Sequence, residues 1–178
     1  MSYDLMVFRK EAAPQTRDEF MKWFEKQTQW AENHSYNDPS VTSIELGNWF
    51  MEMIQTFPAM NGPFSIHDED DIDNDMITGY SIGTDSIYLD FRWSVVELAY
   101  ETVFKFAAKH EVGFFDVSSD EGDIFFPENG ELKAIDRKTT KMDKDPDNYI
   151  VYHTVKTDDG IVKYSTVHKN KLWWQFWR

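Results

Sequence analysis

His34, Tyr36 and Asp38 alternate within Asn33-His34-Ser35-Tyr36-Asn37-Asp38-Pro39. An imidazole beside a carboxylate is the pairing used in general acid–base catalysis. With the Asn61-Gly62 turn, these side chains could line a small ligand or substrate pocket. The heptapeptide is also turn chemistry throughout, and local side-chain to backbone hydrogen bonds explain it more economically. A second concentration is acidic: His67-Asp68-Glu69-Asp70-Asp71-Ile72-Asp73-Asn74-Asp75. A calcium loop of the EF-hand type needs a central glycine and a closing glutamate. Counting from Asp68 or Asp71 supplies neither, so no metal or other cofactor is expected.

The remaining candidates are weaker. His110-Glu111-Val112-Gly113-Phe114 begins like a zinc-protease helix but lacks the second histidine. His67-Asp68-Glu69 has the His-x-Glu of zinc deaminases without their cysteines. The chain has no cysteine, which excludes disulfides, thiolate metal sites and cysteine nucleophiles. No nucleophile elbow, phosphate-binding loop or dinucleotide fingerprint occurs. The residues therefore point away from the easily read enzyme families.

Charge is more informative. Residues 1–130 carry 8 Lys and Arg against 25 Asp and Glu, a balance of −17, whereas residues 131–178 carry 10 against 7, a balance of +3. A field of this sign repels nucleic acid and anionic lipid and attracts a basic protein. The candidate contacts are Asp68, Glu69, Asp70, Asp71, Asp73 and Asp75, joined by Asp120, Glu121 and Asp123. Tyr80 and Trp93 are candidate aromatic anchors. A plainer reading of the acidic run is a solvated loop.

These residues need a scaffold. Tyr3–Phe8 reads as a buried strand, and Thr16-Arg17-Asp18-Glu19 as a capping box opening a helix to about Glu32. Trp23, Trp30, Trp49 and Phe50 fall at helical spacing and read as core. Thr42-Ser43-Ile44-Glu45 and Ser94-Val95-Val96-Glu97 are two more capping boxes, the last helix running to about His110. Met76–Ile82 and Ser86–Arg92 form a hairpin, with Ile87, Leu89 and Phe91 on one face. Phe114–Val117 and Asp123–Phe126 are a further strand pair. Residues 131–148 read as a polar linker or long loop, and Tyr149–Lys156 with Ile161–Lys169 as a second hairpin whose facing strands carry His153 and His168, read as strand decoration ahead of a histidine pair.

The expected fold is α+β: one domain at 1–130, an antiparallel or mixed sheet with helices on one face. Its β-α-α-β-β-α-β-β order is related to ferredoxin-like folds, and residues 149–178 add a hairpin and a Trp-rich tail. Trp173, Trp174, Phe176 and Trp177 in that tail suit burial or a homo-oligomer contact. With no secretory signal and no apolar run of about 20 residues, a soluble cytoplasmic protein is expected.

Five segments recur in order in a family of small acidic bacterial proteins that this chain resembles over about residues 1–127. They are Ser2-Tyr3-Asp4-Leu5-Met6-Val7-Phe8, Trp30 through Pro39, Thr56-Phe57-Pro58 with Met60-Asn61-Gly62-Pro63, Tyr80-Ser81-Ile82-Gly83, and Gly113-Phe114-Phe115-Asp116-Val117-Ser118. In general character the chain also resembles immunity proteins of bacterial toxin systems, including contact-dependent inhibition. Neither resemblance brings catalytic residues. The expectation is a non-enzymatic inhibitor of a basic toxin, a nuclease foremost. The alternative is a small enzyme or ligand-binding domain built around His34, Tyr36 and Asp38.

Overall fold

The computed structural model describes residues 2–66, 74–119 and 122–135, and the backbone of the strands at 148–157 and 160–169. The chain divides into two compact units, Met1–Asp136 and Arg137–Arg178.

Alternating and continuous apolar runs build the first unit as strands of one sheet. In chain order its elements are β1 (Tyr3–Phe8), α1 (Arg17–Gln27), a 3-10 turn at Pro39–Val41, α2 (Ile44–Met53), β2 (Gly79–Ile82) and β3 (Ser86–Phe91). A 3-10 turn at Trp93–Val95, α3 (Val96–Lys109), β4 (Gly113–Asp116), β5 (Ile124–Glu128) and β6 (Glu131–Ala134) follow. The six strands lie in the order β2-β3-β1-β4-β5-β6, and every neighbouring pair is antiparallel. The run β4-β1-β3-β2 is the split β-α-β arrangement expected from the element order, and β5 and β6 widen it beyond β4.

The helices do not all share one face. Tyr100 and Phe104 of α3 pack on Phe114, and Phe50 of α2 packs on Tyr80, which places both helices over the Leu5/Val7 face. Phe20 and Trp23 of α1 pack on Phe8, and Phe24 on Phe115, over the Met6/Phe8 face. The cause lies in β1, where Leu5, Met6, Val7 and Phe8 are all buried. A strand apolar on both faces needs cover on both.

Other boundaries shift for local reasons. Helix α1 stops at Gln27 rather than near Glu32, because the Thr28 hydroxyl turns back to the Phe24 carbonyl and Trp30 takes a left-handed backbone (φ 52°). Trp30 is therefore 43% exposed instead of core. The Thr16 hydroxyl donates to the Glu19 carboxylate rather than capping a backbone amide. Ser43, not Thr42, caps α2 by accepting from the Leu46 amide. Ser94 sits in a 3-10 turn and bonds Asp75, so α3 begins at Val96 without a side-chain cap. Strand β6 occupies the start of the expected linker, so the first unit ends at Asp136 and not at 130.

In the second unit β7 (Asn148–Thr157) and β8 (Gly160–Lys169) pair antiparallel, as the hairpin pattern anticipates. The register sets His153 opposite Tyr164 and His168 opposite Tyr149, so the two histidines are not cross-strand partners. The aromatic tail at 173–177 lies outside the described residues.

Candidate functional site

Strand register decides which loops meet. Gly79 opposes Asp90, Tyr3 opposes Phe91, Leu5 opposes Asp116, and Phe115 opposes Ile124. The start of β1, the end of β3, the start of β2, the end of β4 and the start of β5 therefore share one end of the sheet. The acidic run leads into β2 there, and the acidic turn between β4 and β5 leaves there. With strands about 4.8 Å apart, these two exits stand about 14 Å from each other.

Three carboxylates belong to the sheet itself at this end. The Asp116 carboxylate accepts from the Tyr3 hydroxyl at 3.2 Å and from the Ser119 amide at 3.2 Å. Burial raises its pKa to about 6 against the pull of these donors, and Asp123 nearby adds to the rise. The Tyr3 hydroxyl is itself pushed up by burial and then by Asp116. Asp4 and Asp90 are direct cross-strand partners on the opposite face. Such partners hold their Cβ atoms roughly 5 Å apart, and like charges in that position are destabilising. Asp4 Oδ2 accepts from the Tyr88 hydroxyl at 3.0 Å, while Asp4 Oδ1 is buried without a hydrogen-bond partner. Burial, then the Asp4 charge, raises the Asp90 pKa. Among the described residues neither carboxylate pairs with a lysine or arginine.

The residues singled out in the sequence fare unevenly. Asp68, Glu69, Asp70, Asp71, Asp73, Asp120 and Glu121 lie outside the described residues. Asp75 is already engaged: Arg92 reaches it at 2.7 Å and Ser94 at 2.6 Å, and both bonds lower its pKa. Asp123 stands just before β5, its carbonyl accepting from the Asp116 amide. Trp93 is 46% exposed with its ring 5.4 Å from that of Tyr3, so it remains available as an anchor. Tyr80 is not: it is 2% exposed and its hydroxyl donates to the Phe57 carbonyl at 2.7 Å. Facing inward on the α2 side, it serves the core.

The histidine alternative meets a carboxylate, though not the expected one. His34 Nε2 lies 2.5 Å from Glu32 Oε2, and His34 Nδ1 accepts from the Tyr36 amide. The same Glu32 oxygen accepts from the Thr84 amide and hydroxyl, and Ile82 donates to the Tyr36 carbonyl. Both ring nitrogens are thus committed to fastening residues 32–36 onto the turn between β2 and β3. Asp38 caps the Pro39–Val41 turn by accepting from the Ser40 amide. His110 closes α3 and bonds Glu52 at 2.6 Å, with Lys109 on the other Glu52 oxygen. These are ties between elements.

Sequence reasoning passed over Asp4, Asp90, Asp116 and Trp30. A signal was present for Asp4 and Asp116, acidic residues in runs otherwise read as apolar, but not for Asp90, which falls on the polar face of an alternating strand. A cavity of about 270 Å³ opens beside Asp90, lined by Ser2, Met60, Ile77, Asp90, Phe91 and Arg92. Among the described residues no group of three His, Asp or Glu is placed to hold a metal ion, and no helix is long and apolar enough to cross a membrane. Neither protein-family models, nor curated proteins, nor solved structures yield a match to the chain.

Proposed function

We propose that this chain is an immunity-type inhibitor that binds and neutralises a basic bacterial toxin domain, a nuclease by preference, in the cytoplasm of the cell that makes it. The observation that carries the reading is the convergence of acid at one sheet end. The exits of both acidic segments, together with Asp4, Asp90 and Asp116, share that end. Such an end steers a cationic protein toward it and competes for a groove shaped for phosphates. An acid–base role for His34 is less favoured, because each of its ring nitrogens already has an internal partner.

The direct test is growth. The product of the neighbouring upstream reading frame is produced in a host cell with and without this chain. Under this reading its C-terminal region halts growth alone, and co-production restores it. Toxicity that co-production leaves unchanged, or a neighbour without toxicity, overturns the reading.

A further inference from the structure

Strand β6 ends the sheet on the side away from β2. Its ladder to β5 can be followed residue by residue. Ile135 donates to the Ile124 carbonyl, and hydrogen-bonded pairs alternate along an antiparallel strand. The bonds to β5 therefore come from Glu131, Lys133 and Ile135. The amides and carbonyls of Leu132 and Ala134 point the other way, and among the described residues no strand lies beyond them.

The opposite edge is treated differently. In β2 the outward residues are Tyr80 and Ile82, since Gly79, Ser81 and Gly83 carry the bonds to β3. Asn61 closes the first of them: its side-chain oxygen accepts from the Tyr80 amide at 3.2 Å, and its side-chain amide donates to the Tyr80 carbonyl at 3.0 Å. The Ile82 amide donates to the Tyr36 carbonyl at 2.7 Å. An open strand edge is a template for another strand, and proteins ordinarily cover it. Here two loops cover β2.

We propose that β6 is the docking edge for a second copy of this chain, the two β6 strands pairing antiparallel about a two-fold axis at Leu132, so that the sheet runs on from one protomer into the next. Charge selects both the occupant and the register. An axis at Glu131 opposes that residue to its own copy, and an axis at Lys133 opposes two lysines. An axis at Ala134 leaves Lys133 against Ile135. Only an axis at Leu132 sets Glu131 of each protomer against the partner's Lys133, twice over. Opposite charges in such positions attract and like charges repel. Glu131 is in want of a cation, because it opposes Glu128 across the hairpin and Lys133 is drawn to Glu128 at 2.8 Å. The net charge of −14 acts mainly elsewhere: β6 stands five strand spacings, about 24 Å, from β2, where the acidic run enters, against a screening length of about 8 Å at physiological salt. Paired strands of 4 residues make a small contact, so the protomers exchange with free chains. The inference is independent of the inhibitor reading.

The test is sedimentation of the full-length chain over a wide range of concentration. The expected result is a monomer–dimer equilibrium, with amide exchange at Leu132 and Ala134 slowing as dimer accumulates. Glu131→Lys and Lys133→Glu each weaken self-association about tenfold or more. Mixed with one another, these two variants dimerise, because every facing pair is then opposite in sign, and the double swap in one chain restores self-association. Ala134→Pro deletes an outward amide while sparing the ladder to β5, a place where an edge strand tolerates proline, and it abolishes the dimer. Circular dichroism shows which variants are folded. Three outcomes overturn the proposal: a monomer at every concentration, a dimer unmoved by any of these variants, as one held by the aromatic tail would be, or folded single variants that fail to associate on mixing.

Discussion

The Tyr3 hydroxyl donates to Asp116 across the β1–β4 edge of the acidic end, and Asp116 in turn accepts the Ser119 amide that begins the turn toward β5. A single carboxylate thus links the first strand to an acidic loop. Its pKa is raised to about 6, chiefly by burial. A raised folded-state pKa means that the folded protein holds the proton more tightly than the unfolded chain. The stabilisation from that proton is full below about pH 4 and lost as pH rises through about 6. Asp116→Asn removes this dependence. Urea unfolding from pH 4 to 8 is expected to show the variant gaining on the parent by about 2–3 kcal/mol across the window. The sign rests on the slope of that difference, since the amide keeps only one of the two acceptor oxygens. A difference that does not change with pH contradicts it.

Tyr80→Phe tests its reassignment from surface anchor to core. The substitution leaves the Phe57 carbonyl without its donor in a buried site. A loss of about 1–3 kcal/mol in chemical unfolding is expected. Partner binding should be unchanged, whereas a surface anchor would show the reverse pattern.

His34→Ala separates fastening from catalysis. The variant removes the His34 contact from Glu32 Oε2, which keeps its Thr84 donors, and takes the acceptor from the Tyr36 amide at a partly exposed loop. The expected cost is about 1 kcal/mol of stability, faster hydrogen exchange at Tyr36 and Thr84, and intact neutralisation of the toxin. Loss of function at full stability points back to the pocket alternative.

Gly113→Ala probes the packing that fixes the sheet. A Cβ there would stand 2.1 Å from the Phe8 ring, which is wholly buried between α1 and the sheet. The ring has no free direction to move in, so overpacking of about 1–3 kcal/mol is expected in thermal or chemical unfolding. A neutral result would mean that the α1 layer is looser than the ring contacts of Phe8 imply.

The acidic run is addressed by converting Asp68, Asp70, Asp71 and Asp73 to Asn together. Slower association with the basic partner and a flatter dependence of its rate on salt are expected, with little change in dissociation. Stopped-flow kinetics at several ionic strengths reads both. Unchanged kinetics assigns steering to the aspartates of the sheet end.

Much of this fold was legible because period-two and period-3.6 patterns are local. Ile87, Leu89 and Phe91 announce a buried strand face, and Leu46, Trp49, Phe50 and Met53 a buried helix face. Trp30 misled because it extends the helical spacing of Trp23 and Gln27, while the chain has already turned left-handed. Strand β6 was missed because Glu131, Lys133 and Ala134 are exposed and only Leu132 is buried. The Asp4–Asp90 opposition was invisible for another reason. It depends on the register between two strands far apart in sequence, and no local pattern encodes register. The site is consequently harder to read than the scaffold.

The central claim is neutralisation through charge. The decisive measurement is inhibition of the purified toxic domain by this purified chain as ionic strength rises. The account predicts loss of toxin activity at one-to-one stoichiometry in low salt, with an apparent affinity that falls steeply as salt increases. Full toxin activity at equimolar chain, or inhibition indifferent to salt, would contradict it.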